Sequence, residues 1–290
     1  MKNFKMAFVI PYFGQWPFWM SFFLESCKYN SSFDWIFFTD CGIPENSPEN
    51  VFFEEMSFED YCSLVSSRLG LIFFPESPYK LCDIKPALPY IHQDRISEYD
   101  FVGFSDIDLV YGDLRKYFDD TRLSCFDLFS THSRRISGHL CLMRNTKRMR
   151  QAFMNVPGWR DSFESKLHNG FDEGDFSRLF IRHKNWPELF RVIADRFNSW
   201  RQSSVFEEAY STPNGRVPWH DGTFNFPEKW IWRRGILTND INGEREFPYF
   251  HFIGWKCDFW SSLSLDQLLP DYDLSRSDGW CVTAKGFREV

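Results

Sequence analysis

The amino-acid sequence predicts an α/β fold, with a mixed, mostly parallel central sheet flanked by helices and an irregular, loop-rich carboxyl-terminal third. Three observations carry this prediction. The amino-terminal end reads strand, helix, strand; a third strong strand over residues 99–105 stops at an acid; and residues 199–250 are rich in Trp, Pro, Gly and Asn. Strands that alternate with helices favour parallel pairing, because a right-handed crossover returns the chain to the same sheet.

Met6 to Ile10 is a continuous apolar run stopped by Pro11, the pattern of a strand covered on both faces. Pro17 suits a first helical turn, and Phe18, Phe22 and Cys27 keep helical spacing to about Tyr29. A second strand is expected over Trp35 to Thr39, closing on Asp40, Cys41 and Gly42. Residues 57–70 read as a helix, as does Asp83 to Gln93, opened near Pro86. Tyr99 to Ser105 is the third strong strand and ends at Asp106; Phe126 to Thr131 and His139 to Met143 are further strands. Asn145 to about Asn155 reads as helical, residues 199–250 as loops with short hairpins, and Tyr249 to Ile253 as the last strand, broken by Gly254. With no internal repeat and no low-complexity linker, a single domain over residues 1–290 is expected, divided into halves at 1–145 and 146–290.

Composition narrows the function classes. A net charge of -7 lacks the basic excess that duplex binding requires, so nucleic acid is not expected as a partner. Local basic clusters (His132 to Arg135, Arg144 to Arg150, Arg233-Arg234) read as solvated faces or as contacts to an anionic ligand or lipid headgroups. The 34 Phe, 12 Trp and 11 Tyr are enough for a core, and Trp and Tyr beyond core needs would suit flat ligands such as sugar rings or bases. The eight cysteines form no Cys-x-x-Cys pair, and several sit in apolar runs, as reduced, buried thiols of a cytosolic protein do. The apolar stretch from Met6 to Phe13 contains Pro11 and is too short to span a bilayer. A cytoplasmic location is expected, with peripheral attachment to a membrane face left open.

Two short segments carry chemistry. Asp106 and Asp108 stand at i and i+2 after the third strand, so both carboxylates point to one side of an extended chain, toward the crevice at strand carboxyl ends. Such a pair can hold Mg²⁺ or Mn²⁺ against phosphate oxygens, although a polar turn after a strand has the same look. Far along the chain lies Phe250-His251-Phe252-Ile253-Gly254-Trp255-Lys256. His251 can ligate a borderline metal, Gly254 can admit a phosphate to the backbone, and Lys256 can meet its charge. A hydrogen-bonded core histidine is the alternative for His251.

Together, Asp-x-Asp and His-Phe-x-Gly-x-Lys resemble the nucleotide-sugar glycosyltransferases of GT-A (Rossmann-like) fold. The second segment is similar to the His-Phe-x-Gly-x-x-Lys signature of family 8, the glycogenin and bacterial galactosyltransferase group, with one residue fewer before the lysine. The overall pattern resembles bacterial polysaccharide-biosynthesis transferases, of capsule or lipopolysaccharide O-antigen, more than glycogenin. The resemblance implies transfer of a hexose from a nucleotide diphosphate sugar, first of all a UDP-sugar, to a saccharide or lipid-linked saccharide acceptor, with Mn²⁺ or Mg²⁺ as cofactor. It implies Asp108 and His251 as metal ligands, with Asp106 on the metal or the ribose, and Lys256 and the Gly254 backbone at the diphosphate. Tyr12 or Phe13 would stack on the base and Asp40 would read its edge. Lys80, Asp83 and Lys85 would lie near ribose and donor sugar, or Asp83 would cap a helix beside solvated lysines. Ser137, Gly138 and His139 would border the donor sugar, and Glu173, then Asp172, would be the catalytic base, unless both acids only complement a helix start. The Trp219, Trp230 and Trp232 rings would stack on an acceptor, meet a membrane surface, or pack in a core.

Overall fold

The computed structural model describes residues 4–182, 186–213, 216–269 and 278–290. In chain order the strands are β1 (Met6–Pro11), β2 (Phe33–Thr39), β3 (Val51–Glu55), β4 (Phe101–Ser105), β5 (Leu109–Tyr111), β6 (Leu128–Ser130), β7 (Leu140–Arg144), β8 (Ser204–Phe206), β9 (Lys229–Arg233), β10 (Ile236–Asn239), β11 (Tyr249–His251), β12 (Trp280–Thr283) and β13 (Gly286–Glu289). The central sheet has seven strands in the order β3-β2-β1-β4-β7-β6-β8. β1 pairs in parallel with β2 and β4, β2 with β3, and β6 with β8, whereas β7 runs against both β4 and β6. The fold is mixed α/β with a mostly parallel sheet.

The apolar runs are continuous because both faces of the sheet are covered. In β1, Ala7 and Val9 join one core with Ile36, Val102 and Phe104, while Met6, Phe8 and Ile10 join the opposite core with Trp35, Phe37 and Phe101. Much of the phenylalanine content is therefore core. Gly103 is required where β4 meets β7: a Cβ there would come within 2.0 Å of the Cys141 carbonyl oxygen.

Helices Met20–Lys28 and Phe58–Leu69 cover the sheet. The second is capped by Ser57, whose side chain accepts from the Asp60 N–H, and ends at Gly70 in the left-handed region, at φ 63°. Two helices expected as single elements are broken. Residues 83–93 give a 3₁₀ turn at Lys85–Ala87 and a short helix at Leu88–Ile91, since Pro86 and Pro89 bring no N–H to the ladder. Residues 145–155 divide into Lys147–Arg150 and a 3₁₀ turn at Ala152–Asn155. The last strand stops at His251, and Ile253 already opens the helix Ile253–Asp258. The carboxyl-terminal third holds more order than loops and hairpins alone: β10-β9-β12-β13 form an antiparallel sheet around buried Trp230, Trp232 and Trp280. Core packing is thus the outcome for these tryptophans and for Trp219. All eight cysteines are free, and among the described residues no helix is long and apolar enough to cross a membrane.

Two features of this topology position the site. Leaving β1, the chain goes to β2 and β3 on one side, whereas β4 lies on the other. The carboxyl ends of β1 and β4 therefore flank a topological switch point, where open α/β sheets leave a crevice. In addition, β5 pairs with β11 in a separate two-stranded ribbon, which brings a late segment to the end of β4.

Candidate active site

Asp106 and Asp108 follow β4, and the β5–β11 register sets His251 opposite Leu109. The Phe252 N–H donates to the Asp108 carbonyl at 3.2 Å, which fixes that register beside the acid. One ligand atom each from Asp106, Asp108 and His251 lies within 4.8 Å of the others. His251 Nε2 is 3.4 Å from Asp108 Oδ1, is shielded from water, and has no hydrogen-bond partner among the described residues. Its other nitrogen, Nδ1, is 3.3 Å from the Thr212 hydroxyl. With the ring proton on Nδ1, Nε2 would offer its lone pair to a cation held between it and the two carboxylates.

Two lysines close the cluster. Lys256, in the helix after β11, donates to Asp108 Oδ2. Lys85 donates to Asp106 Oδ1 at 2.5 Å and to the Gly138 carbonyl at 2.8 Å. Burial by itself would raise the Asp108 carboxyl, but His251 and Lys256 outweigh it and hold the group well below the usual carboxylate range. For Lys256 the balance is the mirror image: burial opposes its charge and Asp108 restores it, leaving the ammonium raised.

Cavities open on both sides of this cluster. One of about 390 Å³ is lined by Tyr12, Phe13, Lys85, Asp106, Asp108 and Lys256, at the ends of β1 and β4. The other, about 1400 Å³, is lined among others by Arg135, His139, Glu173, His251 and Gly254. Tyr79 and Ile253 border both.

The remaining residues singled out from sequence divide into those at the cavities and those behind them. Tyr12 is at the smaller cavity, with one face stacked on Trp16 at 5.3 Å; Phe13 is buried against Phe58 and Tyr61. Asp40 is exposed, lines neither cavity and accepts from the Gly14 N–H at 2.7 Å. Lys80 and Asp83 line neither cavity. They form a buried pair at 2.8 Å, with Lys80 also donating to the Ser162 and Leu167 carbonyls and Asp83 accepting from the Asn169 and Phe171 N–H groups. The pair ties the 162–171 stretch to the 3₁₀ turn Pro78–Cys82 instead of capping a helix. Ser137 is buried within 3.2 Å of the His139 ring, which stacks on His251 at 4.2 Å and meets the Tyr249 hydroxyl at 2.8 Å. Burial, with His251 next, pushes His139 well below the ordinary imidazole value, so it is neutral.

Gly138 gives room to the acids, not to the cavity: a Cβ there would meet Asp172 Oδ2 at 2.8 Å and Glu173 Oε1 at 2.9 Å. Glu173 accepts from Arg135 at 2.6 Å and from the Gly138 N–H at 3.2 Å. Asp172 is buried, which pushes its carboxyl up to about 7 despite Lys85; Glu173 adds to the rise. Gly254 sits in the first turn of a helix, where a Cβ would have only an ordinary 3.5 Å contact with the Pro213 carbonyl. No close approach there demands glycine. Thr212, Tyr79 and Trp19, which donates to the Ile107 carbonyl at 2.9 Å, were not singled out from sequence. Nothing local marks them, because their place depends on segments far away in the chain.

This fold and site define a mixed α/β protein with a candidate divalent-cation centre at the carboxyl edge of its sheet. The chain belongs to a family of unknown function (DUF6625), whose profile matches residues 8–267. No curated protein matches it. Among solved structures it is similar to the galactosyltransferase LgtC in complex with donor and acceptor sugar analogues, at 12% identity over 69% of this chain and 84% of that one, with a TM-score of 0.34. It is also similar to mouse xyloside xylosyltransferase 1 in its apo form (12% identity, 70% and 96% covered, TM-score 0.36). The glycosyltransferase GlyE of Streptococcus pneumoniae TIGR4 gives 15% identity, 70% and 45% covered, and a TM-score of 0.31.

Proposed function

We propose that the protein is a metal-dependent glycosyltransferase of GT-A type, moving a hexose from a nucleotide diphosphate sugar, first of all a UDP-sugar, to a saccharide or lipid-linked saccharide acceptor. In this reading it serves surface-polysaccharide assembly at the cytoplasmic face of a membrane. The observation that carries the proposal is the convergence between two cavities of Asp106, Asp108 and His251 Nε2, which makes no hydrogen bond among the described residues.

Two carboxylates and an imidazole suit Mn²⁺, and Mg²⁺ when water completes the shell. Bound there, the cation supplies Lewis-acid neutralisation of the charge that grows on a departing nucleoside diphosphate, worth several kcal/mol. The chain's own residues do the rest. Tyr12 offers its open face to the base in the smaller cavity. Lys256 turns from Asp108 to a phosphate, and Lys85 orients Asp106. The larger cavity takes the acceptor, so residues 1–145 chiefly hold the donor and residues 146–290 the acceptor. An acceptor hydroxyl must lose its proton during attack. Asp172, raised to about 7, has the proton affinity of a general base working near neutral pH, but it is buried and lines neither cavity, so it has no direct route to the acceptor. Glu173 stands at the cavity wall and is held by Arg135, so its carboxylate is oriented but engaged.

Thermal unfolding with Mn²⁺ and UDP tests the proposal, with GDP and metal-free UDP as controls. A ligand at 100 times its Kd stabilises by about 2.7 kcal/mol. Asp108→Ala should lose that stabilisation and the transfer of sugar while still unfolding cooperatively. A wild-type protein that no nucleotide stabilises with either metal, or an active Asp108→Ala variant, would sink the proposal. Sugar released at equal rates with and without acceptor would mark a hydrolase instead.

A further inference from the structure

The segment between Asp172-Glu173 and β8 has the charge and the apolar surface of an interface. Residues 177–202 carry five arginines against Glu188 and Asp195, in a chain of net charge -7. Inside it lies the helix Glu188–Asp195. Leu189 and Ile193, then Phe197 just beyond, recur at i and i+4, with Phe190 and Val192 to either side, while Arg191 and Asp195 fall on the opposite face.

A helix with this pattern ordinarily turns its apolar stripe to the core. Here it is reversed. Leu189 is 69% exposed, Phe190 55%, Ile193 48% and Phe197 87%, and Trp186 adds another exposed ring ahead of the helix. Arg191, Ala194 and Asp195 are half-buried, and Arg191 Nε is shielded with no hydrogen-bond partner among the described residues. The orientation is pinned from within. Asp195 reaches Arg201 at 3.6 Å, and the buried Asn198 donates to the Leu179 and Phe180 carbonyls. Arg182 and Arg196 are exposed beside the stripe. Lys147 and Arg148 extend the basic surface, with the Arg148 guanidinium 4.2 Å over the Trp200 ring.

We propose that this face docks on an anionic lipid bilayer. Trp186, Leu189, Phe190, Ile193 and Phe197 would enter the boundary between headgroups and acyl chains, and Arg182 and Arg196 would meet headgroup phosphates. The charge favours lipid over a second copy of the chain. A two-fold contact would set the same helix against itself and face arginine with arginine, whereas an anionic surface supplies the countercharge. The proposal deepens the membrane-face reading given above but needs no transferase activity, so each can fail without the other.

The test is co-sedimentation of the full chain with vesicles of phosphatidylcholine, with or without phosphatidylglycerol. Wild type should sediment with the anionic vesicles and far less with the neutral ones. The paired substitution Leu189→Glu and Phe197→Glu removes two side chains that would be buried in lipid, each worth about tenfold or more, so the partition coefficient should fall about a hundredfold. Arg182→Glu with Arg196→Glu should erase the preference for anionic vesicles. All variants should keep the wild-type Tm, because each changed side chain is exposed. Wild type left in the supernatant with both vesicles overturns the proposal, as does equal binding to both. So does a lipid-free dimer that Leu189→Glu and Phe197→Glu dissolves, which would assign the face to a second copy.

Discussion

Replacing Lys256 by Met should have opposite effects on the two ligands proposed for the site. The Lys256 ammonium rests on Asp108 Oδ2, one of the atoms a cation would take. The Lys256 side chain is 34% exposed and that of Asp108 is 6%. Their pairing therefore lies between a screened surface bridge and a buried one, about 1 kcal/mol. A divalent cation arriving without nucleotide must displace the ammonium, so Lys256→Met should bind Mn²⁺ alone about fivefold tighter. With a diphosphate present the ammonium gains a charge-assisted hydrogen bond, worth about 1.5–3 kcal/mol. The same substitution should then weaken UDP about tenfold or more at saturating Mn²⁺. Methionine keeps most of the unbranched stem beside Trp19, so packing changes little. Calorimetric titration with Mn²⁺ alone, then with UDP at saturating Mn²⁺, reads both effects. Weaker binding of Mn²⁺ alone, or unchanged UDP affinity, would refute the displacement.

Three further perturbations probe the frame around the site. Asp172 carries a carboxyl raised from 3.8 to about 7, so between those values the folded protein keeps a proton that the unfolded chain releases. Stability should therefore fall as pH rises through that window, by up to about 4 kcal/mol, and Asp172→Asn should flatten the slope; parallel pH profiles of the two proteins in chemical denaturation would count against the assignment. Lys80→Met takes the ammonium from the buried Asp83, leaving it the Asn169 and Phe171 N–H groups and His168 at 3.1 Å. It should cost about 3 kcal/mol in urea unfolding, so a loss under about 1 kcal/mol would mean that those partners satisfy Asp83 without it. Gly138→Ala forces Asp172 or Glu173 to move and should cost about 1–3 kcal/mol, measured by thermal melting, with an unchanged Tm showing that the acids yield freely.

Much of the frame could be read along the chain because local pattern and fold agree there. The apolar runs at β1, β2 and β4 are two-sided core strands, and an unbroken apolar stretch has few other uses at that length. The pair Asp106 and Asp108 stood out because charge abruptly follows such a run. The edge strand β3 was not anticipated: Phe52, Phe53, Glu54 and Glu55 are only partly buried or exposed, so it lacks that contrast. Prolines 86 and 89 broke a helix whose apolar spacing alone had suggested one element.

By itself, the sequence determined the alternation of strands and helices, the acids at the end of a central strand, and a late histidine with a lysine five residues on. Only the tertiary structure decided which of these meet. The β5–β11 ribbon carries His251 to Asp108, whereas Lys80 and Asp83, near Lys85 in sequence, turn away to tie down another segment. The reversed apolar face of helix Glu188–Asp195 is likewise a property of packing, since its sequence fits an inward stripe equally well. The reason is physical: periodicity fixes which side chains share a face, but what that face meets depends on contacts closed across a hundred residues or more, which no local pattern encodes.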